Sequence, residues 1–250
     1  MTVDVRKSAP QGTKRRGRGE VLHGMVDILP LTLGTLPFAL LLGSVGVGAG
    51  LSPAEVALMS AVVFAGSSQF VAVGLWGTGA GGVVIVASVM LVNLRHLLLG
   101  AALAPYVHAY PMRRLAPALF LLTDEVWALA MRRGRGQALT LAYWFGLGST
   151  MYLGWLAGTV AGCQIGARLG DTRAWGLDFA ITAVFVCLLA GFWHGRRAAL
   201  PWLASAGVAV AVYRLGAGGT WHILAGGLVG AAVGALQAGG AAPANGDSPR

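Results

Sequence analysis

Apolar residues in this chain come in long, nearly charge-free runs broken by short polar turns. From Ile28 to Leu94 the only formally charged residue is Glu55. A helix needs about 20 predominantly apolar residues to cross a bilayer, and most of these runs approach that length. They lie at about 28–47, 54–75, 82–103, 115–131, 138–165, 176–193, 201–215 and 221–236. The pattern predicts an all-α, polytopic transmembrane bundle of about 7–8 spans. Some of its helices should be kinked or broken. The first run holds Pro30 and Pro37, and a mid-span proline removes a helical hydrogen bond. Ser52-Pro53-Ala54-Glu55 reads as the capped start of the second helix.

Polar residues inside the runs are few. Gly66-Ser67-Ser68-Gln69 interrupts the second span, and Asn93, Arg95 and His96 interrupt the third. Trp76 to Gly82 is a tight turn between them. Counting outward from that turn at about 1.5 Å per residue, Ser67 and Asn93 both reach mid-membrane. The two clusters can therefore line one pocket. A charge at that depth costs about 2.5–3.5 kcal/mol on insertion scales, so it faces protein, water or a counter-charge.

The run at 115–131 is ambiguous, because it is short, contains Pro117 and carries Thr123-Asp124-Glu125. Basic residues favour its crossing. With the amino terminus inside, crossing puts 12 basic residues on the cytoplasmic side against five outside, and a non-crossing, re-entrant segment gives nine against eight.

Composition agrees with a membrane protein: 56% of residues are hydrophobic and 11% are charged, where an ordinary soluble domain has about 25% charged. The net charge of +9 sits mainly in the tail and loops, which points to lipid headgroups and not nucleic acid. Residues 1–23 read as a disordered basic cytoplasmic tail, 24–237 as a single transmembrane domain, and 238–250 as a disordered tail. A cleaved signal peptide fits poorly, since the first apolar run is too long. Cys163 and Cys187 read as small core residues. Gly154, Gly158, Gly162 and Gly166 recur every four residues, as do Gly226, Gly230 and Gly234. Each set forms a smooth strip for close helix contact, within the chain or with another subunit. Similar segments at Leu31 and Leu139 suggest an internal duplication, parallel if 115–131 crosses and inverted if it does not.

Serine hydroxyls and an amide suit a small zwitterion or the exposed backbone of a broken helix. Asn93 and His96 share a helix face, and Arg95 points about 100° away from His96. Arg95 either pairs an acid or binds a carboxylate directly as a bidentate donor. Asp124 and Glu125 are its natural counter-charges. Burial and a nearby cation push a carboxyl pKa in opposite directions, an opposition that proton coupling can use. No nucleophile elbow, zinc-protease motif or phosphate loop is present, and the histidines have no metal-ligand spacing. The chain reads as neither an enzyme nor a protein with a cofactor or metal.

Phe64-Ala65-Gly66-Ser67-Ser68-Gln69-Phe70, Asn93-Leu94-Arg95-His96 and Leu122-Thr123-Asp124-Glu125 occur in the order typical of the AzlC family, and Gly34 to Phe38 also fits. The chain resembles that family over roughly residues 24–195. The resemblance implies the large subunit of a branched-chain amino acid exporter of the bacterial cytoplasmic membrane. It implies efflux of leucine, isoleucine, valine or methionine driven by the proton gradient. It also implies a small four-span partner of the AzlD type, and about seven spans. The site residues come from the reading of the chain itself: Pro37, Gly66, Ser67, Ser68, Gln69, Asn93 and His96 for substrate, and Arg95, Asp124 and Glu125 for the ion pair or proton coupling. A passive facilitator for small zwitterions and a non-transporting scaffold are the alternatives.

Overall fold

The computed structural model describes residues 14–169, 183, 186, 199–215 and 221–239. Among them there are helices and no strands. These are α1 (Lys14–Gly48), α2 (Pro53–Val62), α3 (Gly66–Gly77), α4 (Gly82–Asn93), α5 (Arg95–Val107), α6 (Met112–Phe120), α7 (Asp124–Gly136), α8 (Leu141–Leu169), α9 (Ala199–Arg214) and α10 (Trp221–Gly239). The stretches 17–48 and 82–107 are each long and apolar enough to cross a membrane. Leu97 and Leu98 are 70% and 74% exposed, as side chains facing lipid are. Of the expected span at 176–193 only residues 183 and 186 are described, and Cys187 lies outside the described residues.

By its contacts the chain forms two compact units. One takes in 1–69 and 93–175, the other 70–92 and 176–250. In the second, α9 and α10 pack antiparallel. Gly226 lies against Ser205 and Ala209, and Gly230 against Ser205 and Pro201. Gly79 adopts φ +73° in the turn between α3 and α4, a conformation glycine takes without steric cost.

The first unit is built on α1 and α8, which run parallel. Their contacts advance together: Gly24 on Tyr143 and Gly146, Thr32 on Gly154, Ala39 on Gly158, Leu40 on Gly162, Ser44 on Gly166. The glycine strip of α8 is thus consumed within the chain. A Cβ at Gly162 would overlap the Leu40 carbonyl. Buried Cys163 lies beside Gly43 on the same seam.

Two expectations about α1 change. The helix passes through Pro30 and Pro37 without a break. It also begins at Lys14, inside the segment expected to be disordered up to His23. Its first turns are held in place: Glu20 accepts from Arg133 Nη2 on both oxygens, at 2.9 and 2.7 Å, and from Thr140 at 3.1 Å.

The ambiguous segment does not cross. Tyr110 donates to the Leu139 carbonyl at 3.1 Å, so α6 starts level with the beginning of α8. Phe120 then meets Tyr152, and Leu121 packs on Gly148. There the chain turns back. α7 runs out beside α5, Gly134 against the Tyr106 ring, and ends where α6 began. At 9 and 13 residues, each arm is about 14–20 Å long, short of a bilayer core of about 30 Å. This is a re-entrant hairpin. Among the described residues of the first unit, Arg18, Arg113, Arg114, Arg132, Arg133 and Arg135 belong to one end, Arg95 to the middle and Arg168 to the other.

Two outcomes check this architecture. Gly162→Ala should destabilise the protein by about 1–3 kcal/mol through overpacking. Gly34→Ala, which meets nothing within 4 Å, should not, as read by thermal unfolding in detergent. In a cysteine-free background, Arg113→Cys and Arg135→Cys should react with an impermeant thiol reagent from the same side of the membrane. Labelling from opposite sides would restore the crossing.

Candidate functional site

Each break follows from local sequence. Ser52 caps α2 as expected: its backbone N–H donates to Glu55 Oε2 at 2.7 Å, and Glu55 N–H donates to the Ser52 hydroxyl at 3.2 Å. The helix ends at Val62, and α3 restarts at Gly66. Ala65 N–H closes on the Val63 carbonyl at 2.8 Å. The second break, at Leu121–Thr123, precedes α7, whose N-cap is Thr123; its hydroxyl accepts from Val126 N–H at 3.3 Å. A milder interruption at Leu94 separates α4 from α5.

The first two breaks meet across α8, near its middle residue Trp155. Tyr152 donates to the Ala61 carbonyl at 3.0 Å, which satisfies a group in the last turn of α2. Its ring packs edge-on to Phe64 at 5.1 Å and against Phe120 at 6.0 Å. The Gly66 Cα lies so close to the Trp155 ring that an added Cβ would meet it at 2.7 Å. Glycine is required there by approach, not by backbone angle.

Gln69 is fully buried with both ends of its amide engaged. Trp155 Nε1–H donates to its Oε1 at 2.9 Å, and its Nε2 donates to Ser60 Oγ at 2.8 Å. Ser60 passes its own hydrogen to Thr159 at 3.3 Å. Along a straight helix Ser60 and Gln69 would stand about 13 Å apart. Their hydrogen bond therefore reports how sharply the chain bends at Val63–Ala65.

Ser68 donates to Asn93 Oδ1 at 2.6 Å, so the two clusters expected at one depth do meet. Arg95 points elsewhere, as its helix position requires, and its Nη1 lies 2.6 Å from Asp124 Oδ2. The pair is half-buried, at 27% and 43% side-chain exposure. Asp124 is the partner; Glu125 follows it on the first turn of α7. Ser67 Oγ and Arg95 Nε are buried without hydrogen-bond partners. His96 Nδ1 lies 3.2 Å from the Asn93 carbonyl of its own helix. Pro37 is on an exposed side of α1, away from the face on α8. Ser60, Tyr152, Trp155 and Thr159 belong to the centre although the sequence reading did not single them out. The glycine strip was the clue, since Tyr152, Trp155 and Thr159 fall on α8 between the glycine positions at helical spacing. No group of three or more metal-ligating side chains occurs among the described residues.

Discontinuous helices whose polar side chains gather halfway along a long packing helix define an all-α membrane protein built as transport proteins are. Residues 30–169 match the AzlC protein family, and the chain belongs to that family. The matched stretch contains every residue of the centre. The chain is similar to the inner membrane protein YgaZ of Escherichia coli (strain K12), 28% identical over 183 residues, covering 70% of this chain and 75% of that one. It is also similar to an uncharacterized membrane protein of Archaeoglobus fulgidus, 29% identical over 177 residues, covering 70% and 76%. No solved structure matches.

Gln69→Leu should leave Trp155 Nε1–H unpaired and cost about 1–3 kcal/mol of stability. Adding Trp155→Phe should recover part of that loss. Strict additivity of the two changes in thermal unfolding would show that the hydrogen bond carries no weight.

Proposed function

We propose that this chain is a secondary active carrier that exports branched-chain amino acids, with methionine as a further substrate, in exchange for protons. In this reading it works with a small four-span AzlD-type subunit in the bacterial cytoplasmic membrane. The positive-inside rule puts its basic end, and so its amino terminus, in the cytoplasm. Family resemblance supports the substrate class. The observation that carries the mechanism is the Arg95–Asp124 ion pair standing beside two helix breaks.

An amino acid is itself a cation and an anion held a short distance apart. It can enter the Arg95–Asp124 pair by replacing one contact with two. Its ammonium goes to Asp124, and its carboxylate goes to Arg95, whose guanidinium accommodates two oxygens side by side. The positive end of the α3 dipole and the free Ser67 hydroxyl lie at the first break and suit the same carboxylate. Asn93 and Ser68 hold the two chain segments together beside it. Gln69 serves as a strut, because its amide is already committed. Asp124 then takes either a proton or the substrate ammonium, and not both. Mutual exclusion at one carboxylate is the relation an exchanger needs; Glu125 is the second acid at hand.

Arg95 is the group that holds the substrate carboxylate in this reading, so Arg95→Gln should lower leucine export at least about tenfold. Asp124→Asn should abolish the response to an imposed proton gradient. The measurement is labelled-leucine efflux from proteoliposomes at matched protein content. Wild-type export and coupling in both variants would overturn the mechanism. Downhill flux that no proton gradient can drive uphill would mark a passive facilitator.

A further inference from the structure

A second polar locus lies away from the helix breaks, about 18 Å along α8 from Trp155 at 1.5 Å per residue. It is a cavity of about 240 Å³ lined by Asp27, Arg132, Arg133, Gly136, Gln137 and Tyr143. Two acid–base pairs stand beside one another there, and they differ. Glu20 and Arg133 are closed on each other at 2.7 Å, both partners largely covered. Asp27 and Arg132 are held 3.9 Å apart, beyond a hydrogen bond, with 37% and 68% of their side chains exposed.

The acid of the second pair has a further partner. Tyr143 donates to Asp27 Oδ2 at 2.7 Å and fixes that carboxylate. The Tyr143 ring is in turn capped by the Arg133 guanidinium, 4.5 Å from its centroid. Arg133 Nε is buried without a partner. Gly136 brings the carboxyl end of α7 to the cavity, where the last carbonyls of a helix carry partial negative charge. A simple anion would be repelled by Asp27 and those carbonyls, and a simple cation by Arg132 and Arg133. A molecule with both charges matches both halves.

We propose that this cavity is a binding site for a zwitterion with a primary ammonium close to an anionic oxygen group, the ammonium taken by Asp27 and the anion by Arg132. Two sources share that chemistry: a free amino acid and the phosphatidylethanolamine headgroup. The site is separate from the helix-break centre and stands whether or not the chain is an exchanger.

Arg132 supplies a local readout. The full chain is placed in phosphatidylglycerol nanodiscs and treated with phenylglyoxal, and adduct formation at Arg132 is followed by peptide mass spectrometry. Leucine at ten times its Kd should slow that adduct about tenfold, as simple occupancy requires. Isocaproate, which lacks the ammonium, and leucine methyl ester, which lacks the carboxylate, should not protect. If the headgroup is the occupant, protection appears instead when phosphatidylethanolamine replaces part of the lipid, with no leucine present. Asp27→Asn should remove protection from either source. Should that variant fold poorly, the ligand series in the unaltered chain decides alone. Arg132 modified at one rate under every condition, or protected equally by the esters and acids, would overturn the proposal.

Discussion

A helix that ends inside an apolar medium leaves backbone N–H and C=O groups that water does not reach, and each must find a partner in the protein. The first unit is arranged around that demand. Tyr152 reaches the Ala61 carbonyl, Ala65 N–H closes on Val63, and Thr123 caps α7. Side chains placed to serve these ends are polar by necessity. The same necessity gathers Ser60, Gln69, Trp155 and Thr159 into one connected chain of hydrogen bonds. A polar centre halfway along α8 is therefore the by-product of interrupted helices, and function can use what the fold already requires.

The length of α8 orders the rest. Contacts along it place the α1–α7 ion pairs near its start and both breaks at its middle, with the Ser44 hydroxyl bonded to the Gly162 carbonyl at 2.9 Å towards its end. Most charge thus gathers at one end, and a hydrogen-bonded network of uncharged side chains occupies the centre. Among the described residues of the unit, Arg95 is the cation found at the central level, and its acid comes from the hairpin that re-enters from the charged end.

Much of this was legible in the sequence. Charge-free runs revealed helices and a membrane, Ser52 and Glu55 revealed a cap, the Ser67–Ser68 and Asn93 clusters were visible at similar depth, and Asp124 was visible as a counter-charge for Arg95. What escaped was decided by tertiary contact. Pro37 does not break α1, because α8 holds that helix along its whole length. The 115–131 run has the hydropathy of a span, and only the bond from Tyr110 to Leu139 shows that its two ends lie together. Tyr152 and Trp155 looked like ordinary aromatic packing, since nothing in a linear sequence shows which carbonyl a ring will serve.

The seam between α1 and α8 has a mechanical consequence. Where glycine on one helix touches main-chain atoms of the other, there is no layer of side chains to shear, so sliding or tilting would bring backbone into collision. The two long helices must move as one stiff mast. In the proposed exchange cycle, rearrangement falls to the short arms leaning on that mast, with the Tyr152 ring, wedged between Phe64 and Phe120, as their common bearing.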